Sequence, residues 1–198
     1  MTSTLKKISR RVALTLAVSA CFSSVTQAAE LLTEGVFKVG MEVTYPPFES
    51  YDSHNNIVGL DPEFATLIAE HLQAKPQLID TKFTSLILGI GKKYDAVISG
   101  MYVTPERQKQ ADAIPYALSG ASIIALKGGA AQPKTEDELC GVKVGLQAGT
   151  TWVTSLKKHS DEWCLKNGKP AITIQEFPTA PEASQALSLI HISEPTRL

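Results

Sequence analysis

Short apolar runs alternate with amphipathic stretches along most of this chain. Phe37-Lys38-Val39-Gly40-Met41 reads as a short buried-type strand, and Gln77–Ile79, Asp95–Ile98 and Ala121–Leu126 read as further strands. Helical patterns lie between them. Asp61-Pro62-Glu63 is a helix start: Asp as the cap, Pro at the first helical position, Glu in the first turn. Phe64, Leu67, Ile68 and Leu72 then recur at helical spacing and are expected to face a core. Thr84–Ile90 predicts a short helix, and Thr104-Pro105-Glu106-Arg107 opens another. Tyr45–Phe48 and Asp52–Asn56 carry loop residues. Strands alternating with helices predict an α/β fold with a largely parallel sheet.

The pattern breaks at Lys127 and then restarts. Gly128–Pro133 has the composition of a linker. After it come an acidic helix at Thr135–Leu139, a strand at Val142–Leu146, a tight turn at Gly149, a helix from Thr151 and a strand at Ala171–Gln175. The expectation is two α/β lobes, residues 30–127 and a partial lobe 134–186, joined by a hinge at 128–133. No convincing internal repeat relates them.

Both ends of the chain stand apart. Lys6–Arg11 is basic and is followed by the apolar run Val12–Ala20, then by small residues ending in Ala28 and Ala29. Residues 1–29 therefore read as an export signal cleaved near Ala28. Val18-Ser19-Ala20-Cys21 offers a competing route, in which Cys21 is lipidated and anchors the chain. Leu187–Arg197 matches the in-frame translation of a common sequencing-library adapter, so residues 187–198 are set aside from fold reasoning and the natural reading stops at Ala186. No later segment has a membrane-spanning apolar run.

Composition sharpens this picture. With 198 residues, 19 basic and 20 acidic, and 43% hydrophobic, the chain is neither a disordered polymer nor a collagen-like one. Residues 1–29 hold Lys6, Lys7, Arg10 and Arg11 and no acid, so residues 30–198 carry 15 basic against 20 acidic side chains, a net charge of −5. Attraction to nucleic acid or an anionic membrane is not how such a surface works. Export also makes the cysteines interpretable. Cys140 just precedes a strand and Cys164 ends the helical stretch from Thr151. A helix returning antiparallel to its strand brings those positions together, so a disulfide is expected, with two buried free thiols as the alternative. Two cysteines alone make no metal site, and no histidine lies at ligand spacing beside them.

The most informative chemistry is Ser99–Arg107. It follows a strand, and in open parallel sheets ligands sit beyond the carboxyl ends of strands. Thr104 caps the next helix and Pro105 starts it, which puts Arg107 in the first turn, where a cation opposes the helix dipole. The placement makes sense if an anion binds there, a carboxylate above all. A surface pairing of Arg107 with Glu106 or Asp112 is the plain alternative. Gly100 lets backbone approach closely. Gly149, Thr150 and Thr151 repeat the theme in the second lobe, a strand end followed by a helix start. Tyr45 is expected to face a ligand, Phe48 to pack under the Pro46-Pro47 turn, and Trp152 and Trp163 to pack within the lobe. No Gly-x-Ser-x-Gly elbow occurs, and His54, His71 and His159 are scattered.

Thr44–Glu49, Val58–Phe64, Asp95–Met101 with Thr104–Arg107, Pro115-Tyr116 with Ser119-Gly120, and Val144–Thr151 form an ordered set. Through them residues 37–186 resemble the amino-acid-binding (family 3) extracellular solute-binding proteins of ABC importers. The resemblance implies a two-lobe periplasmic-binding-protein fold of type II, with lobe one nearly complete and lobe two truncated. It implies a hinge-bending cleft that closes on one free amino acid and is then recognised by an ABC permease in the inner membrane. Tyr45 would cover the side chain, Ser99, Gly100, Tyr102 and Arg107 would bind the α-carboxylate, and Gly149, Thr150 and Thr151 would contribute from lobe two. Asp61, Thr104, Cys140 and Cys164 would be structural. No catalytic residue, metal, cofactor or nucleic acid is implied, and a periplasmic monomer is expected. Two departures stand out. Tyr102 occupies a position that usually holds a small hydroxyl residue, and the acid that meets the ligand's α-amino group comes from a later part of lobe two, so this chain is expected to bind poorly. A periplasmic enzyme of the same fold, resembling cyclohexadienyl dehydratase, and a receptor sensor module are the alternatives.

Overall fold

The central strand Val36–Met41 (β1) is the most buried of its sheet, and Val39 and Met41 are wholly buried. A small antiparallel hairpin of Ser50–Tyr51 (β2) and Ile57–Val58 (β3) follows, then helix Leu60–His71 (α1) and strand Lys75–Asp80 (β4). β4 runs parallel to β1 from Val36↔Lys75 to Met41↔Asp80. A helical turn at Leu86–Gly89 (α2), continuous with a 3-10 turn at Phe83–Ser85, leads to Ala96–Val97 (β5), which pairs with the other edge of β1. The sheet order is β4-β1-β5, all parallel. Parallel strands need crossovers, and α1 and α2 supply them. These coordinates come from a computed structural model and describe residues 30–189. The expected export signal with Cys21, and the tail from residue 190, lie outside the described residues.

Helix α1 departs in part from its expected packing: Ile68 and Leu72 face the core as expected, Phe64 and Leu67 do not. The buried residues are Asp61, Pro62, Ala65 and Ala69, with Ile68 and Leu72 packed against the same core. Ala65, Ile68, Ala69 and Leu72 also follow helical spacing, and the two alanines let the helix lie close on the sheet. Leu67 is left 61% exposed, and Phe64 turns to the ring of Tyr116, 5.5 Å away. Gly59, not Asp61, occupies the cap position, and no side chain caps the helix. The Asp61 carboxylate is used elsewhere, as described below.

Tyr94 fixes the packing of α2 on β1. Its ring is buried, and its hydroxyl donates to the Leu86 carbonyl at 2.6 Å. A Cβ on Gly40 would sit 2.7 Å from that ring, and a Cβ on Gly89 2.2 Å from its hydroxyl. Both positions require glycine.

Helix Pro105–Gln108 (α3) starts as expected: Thr104 Oγ1 accepts from the Arg107 amide at 3.2 Å, with Pro105 in the first turn. The expected strand Ala121–Leu126 is not formed. Residues 112–126 take no regular secondary structure, Ile124 is 73% exposed, and among the described strands none pairs with them. Apolar β-branched residues favour a strand, but a strand exists only where a partner edge meets it.

Beyond the linker the acidic helix is a 3-10 turn, Glu136–Leu139. Strand Lys143–Gln147 (β6) runs parallel to Thr173–Phe177 (β7), and helix Thr151–His159 (α4) makes the crossover. α4 runs on into a π turn at Ser160–Cys164 and a 3-10 turn at Leu165–Asn167. Leu139, Leu156, Cys164 and Ile172 form this sheet's own core, and Val144, Leu146, Trp163 and Ile174 pack on it. Cys140 and Cys164 are joined in a disulfide, with Cα atoms 5.6 Å apart. Helix Ala180–Leu189 (α5) closes the described chain.

Candidate functional site

The carboxyl ends of β1 and β6 face a common cavity of about 220 Å³. Glu42, Tyr45, Glu49, Phe83, Ser99, Gly100, Tyr102 and Arg107 line it from the first sheet's side. Gly145, Leu146, Gln147, Thr150, Thr151 and Trp152 line it from the second, with Ala180, Ala183 and Ser184 of α5. This is where an open parallel sheet presents ligands, because the loops and helix starts of successive units converge there.

Arg107 is held by backbone carbonyls on both sides. Nη1 donates to the Tyr102 carbonyl at 2.7 Å and Nη2 to the Gly149 carbonyl at 3.0 Å. Its guanidinium lies over the Phe83 ring, 5.6 Å from the centroid. Among the described residues it has no ion-pair partner, so neither Glu106 nor Asp112 neutralises it. Burial lowers its pKa from the ordinary value, yet arginine stays charged at neutral pH. Helix α4 adds positive potential, since its first-turn amides have no intrahelical acceptor.

The opposite sign comes from acids at the carboxyl end of β1. Glu42 and Glu49 are 6% and 1% exposed. Glu42 accepts from the Phe83 amide at 3.0 Å and from Thr44 Oγ1 at 3.2 Å, and Gln147 Nε2 reaches it from the second sheet. Glu49 Oε1 accepts from Ser99 Oγ at 2.7 Å, while its buried Oε2 has no hydrogen-bond partner. Burial pushes Glu49 up to about 8, and nearby Asp61 and Glu42 add to the rise against the opposing Ser99 bond. At that value its carboxyl is mostly protonated at neutral pH.

The expected site residues divide. Tyr45, Ser99, Gly100, Tyr102, Arg107, Thr150 and Thr151 all border the cavity. Gly149 stands behind its wall and acts through its carbonyl on Arg107. The single hydroxyl donor of Ser99 goes to Glu49, and the Gly100 amide donates to Asp61 Oδ2 at 2.8 Å and to Tyr116 Oη at 3.0 Å. Both build the cavity floor. Asp61, wholly buried, also accepts from the Tyr116 hydroxyl at 2.9 Å, and this contact explains why it does not cap α1. Thr150 Oγ1 donates to the Gln147 carbonyl at 2.8 Å. Phe48 stacks behind Tyr45 at 5.3 Å, outside the lining, as its turn position suggests. Trp152 is a correction: it lines the cavity and meets Tyr102 edge to face at 5.1 Å. As the second residue of α4 it sits at the helix's open end, ahead of the packed turns. Glu42, Glu49, Phe83 and Gln147 escape the sequence reading. Glu42 and Gln147 each stand at the carboxyl end of a strand, the one signal that could have found them.

The lining contains no histidine, cysteine or lysine. One fixed cation faces buried carboxylates across aromatic walls, an arrangement for holding a zwitterion.

Two parallel α/β sheets with a cleft at their strand ends are the periplasmic-binding-protein fold, and solved structures of that fold agree. An ancestral arginine-binding protein bound to arginine superposes with a TM-score of 0.68 at 33% identity, over 79% of this chain and 67% of that one. The chain belongs to the bacterial extracellular solute-binding proteins, family 3, whose family model matches residues 37–176. It is 41% identical over 137 residues to the ABC transporter arginine-binding protein 1 of Escherichia coli K12, covering 68% of this chain and 53% of that protein. It is 34% identical over 149 residues to the L-cystine-binding protein TcyJ of the same strain, covering 73% and 53%. The chain thus spans about half the length of these relatives.

Proposed function

We propose that the cleft binds one amino acid and presents it to an ABC permease from the periplasm, and that the preferred ligand has a cationic side chain, arginine foremost. The observation that carries this reading is the charge layout of the cavity. Arg107 enters it without a carboxylate partner among the described residues, and the buried carboxyl groups of Glu42 and Glu49 line the same space. In this reading the α-carboxylate replaces the Tyr102 and Gly149 carbonyls on Arg107 and takes further bonds from the first-turn amides of α4. The side-chain cation lies between Tyr45, Phe83 and Trp152 and reaches Glu42 and Glu49. Arginine-binding relatives support the ligand class. Closure is a population shift, because a ligand touching both sheets binds the closed arrangement better than the open one.

Isothermal titration of arginine, lysine, glutamine and cystine into the protein expressed from its intact gene tests this. Saturation at one arginine per chain, with glutamine at least about tenfold weaker, is the expected result. Equal affinity for arginine and glutamine would refute the role given to the carboxylates.

A further inference from the structure

The second sheet carries a cluster unrelated to the cleft. His159 ends α4 and Cys164 ends the π turn that follows, five residues on. In an α-helix that separation points two side chains apart. The wider i→i+5 bonding of a π turn returns them toward one face, and such turns occur often at functional sites. The two Sγ atoms of the disulfide and a ring nitrogen of His159 lie within 4.8 Å of one another, although the spacing in sequence sets the histidine apart from the cysteines. His159 Nε2 is buried and has no hydrogen-bond partner among the described residues. It stands 3.2 Å from Asp137 Oδ1, and Nδ1 is 4.0 Å from Glu136 Oε2. Trp163 stacks on the imidazole at 5.4 Å and holds its plane.

We infer that this cluster is a redox-gated site for zinc or a similar thiophilic divalent cation, with Cys140, Cys164 and His159 as its protein ligands. The geometry suits that ion. Two thiolates and one imidazole are a zinc ligand set that leaves a fourth position open. A carboxylate beyond the other ring nitrogen is the usual support of a zinc-bound histidine, and Glu136 stands there. The sulfurs must move from bonded contact to roughly 3.8 Å, and their Cα atoms at 5.6 Å allow that by side-chain rotation. The gate is thiol–disulfide exchange. A dithiol reductant gives two electrons and two protons to the Cys140–Cys164 bond and becomes a disulfide itself. The cation then displaces both thiol protons as it binds the two thiolates. Oxidised, the same residues are a covalent brace; reduced, they hold a metal.

Cobalt(II) titration into the chain, reduced with dithiothreitol and freed of it under anaerobic conditions, tests the site. One equivalent is expected to produce thiolate-to-cobalt charge-transfer absorption together with tetrahedral d–d bands, and one equivalent of zinc is expected to bleach them. The oxidised chain shows neither. His159→Ala weakens binding on the order of 100-fold, and Glu136→Gln by about tenfold. His159→Ala keeps its disulfide when oxidised, so its thermal unfolding reports separately on folding. The inference is overturned if the reduced chain binds cobalt no better than a Cys140→Ser/Cys164→Ser variant, if His159→Ala binds as well as the parent, or if zinc leaves the melting temperature of the reduced chain unchanged.

Discussion

At the scale of single residues, the cleft separates one fixed cation from one protonated acid. The two outward nitrogens of Arg107 form a fork that matches a carboxylate, and lysine offers only a point charge on a flexible stem. Arg107→Lys should weaken amino-acid binding on the order of 100-fold, measured by titration, with little change in melting temperature. Glu49 supplies a pH signature. Its folded-state pKa, near 8, lies above its unfolded value of 4.5, so between those two pH values the native state holds a proton that the unfolded state has lost. Stability from this group is therefore complete below about pH 4.5 and is lost as pH rises to about 8. Glu49→Gln mimics the protonated acid and can still accept from Ser99. The difference in melting temperature between variant and parent should grow in the variant's favour from pH 5 to pH 8, and a constant difference would contradict the assignment.

At the scale of elements, close contacts decide what can change. Gly89→Ala would bring a methyl group within 2.2 Å of the Tyr94 hydroxyl, which is already bonded to the turn above it. We expect a loss of about 1–3 kcal/mol in urea unfolding. The Cys140–Cys164 bond closes a separation of 24 residues, so Cys140→Ser/Cys164→Ser should cost about 3 kcal/mol. Elements were legible where the cause is local. The apolar run of β1 and the Thr104-Pro105 helix start can be read directly from their neighbours in sequence. The buried stripe of α1 was legible only in part: Ile68 and Leu72 pack on the core as expected, while the large apolar side chains of Phe64 and Leu67 mask the quieter Ala65 and Ala69. Ala121–Leu126 has the residues of a strand without the pairing that makes one.

At the scale of the whole molecule, the site exists only where the two sheets meet. This explains which residues could be found beforehand. Arg107 announces itself by its odd place in a helix start, and Tyr45 by its loop. Glu42 and Gln147 are unremarkable in sequence and gain meaning only when β1 and β6 point at each other across the cavity. Trp152 looks like packing until α4 is seen to open onto the cleft. The proximity of His159 to the cysteines depends on a π turn, and no apolar spacing advertises one.

The two bonds that cross the cavity, from Arg107 to Gly149 and from Gln147 to Glu42, carry a thermodynamic consequence. A guest arriving between the sheets swaps contacts the protein already owns for contacts with itself, so little new enthalpy is released. Association should then be driven mainly by water leaving the aromatic walls, and its heat should become steadily more negative on warming from 10 to about 35 °C.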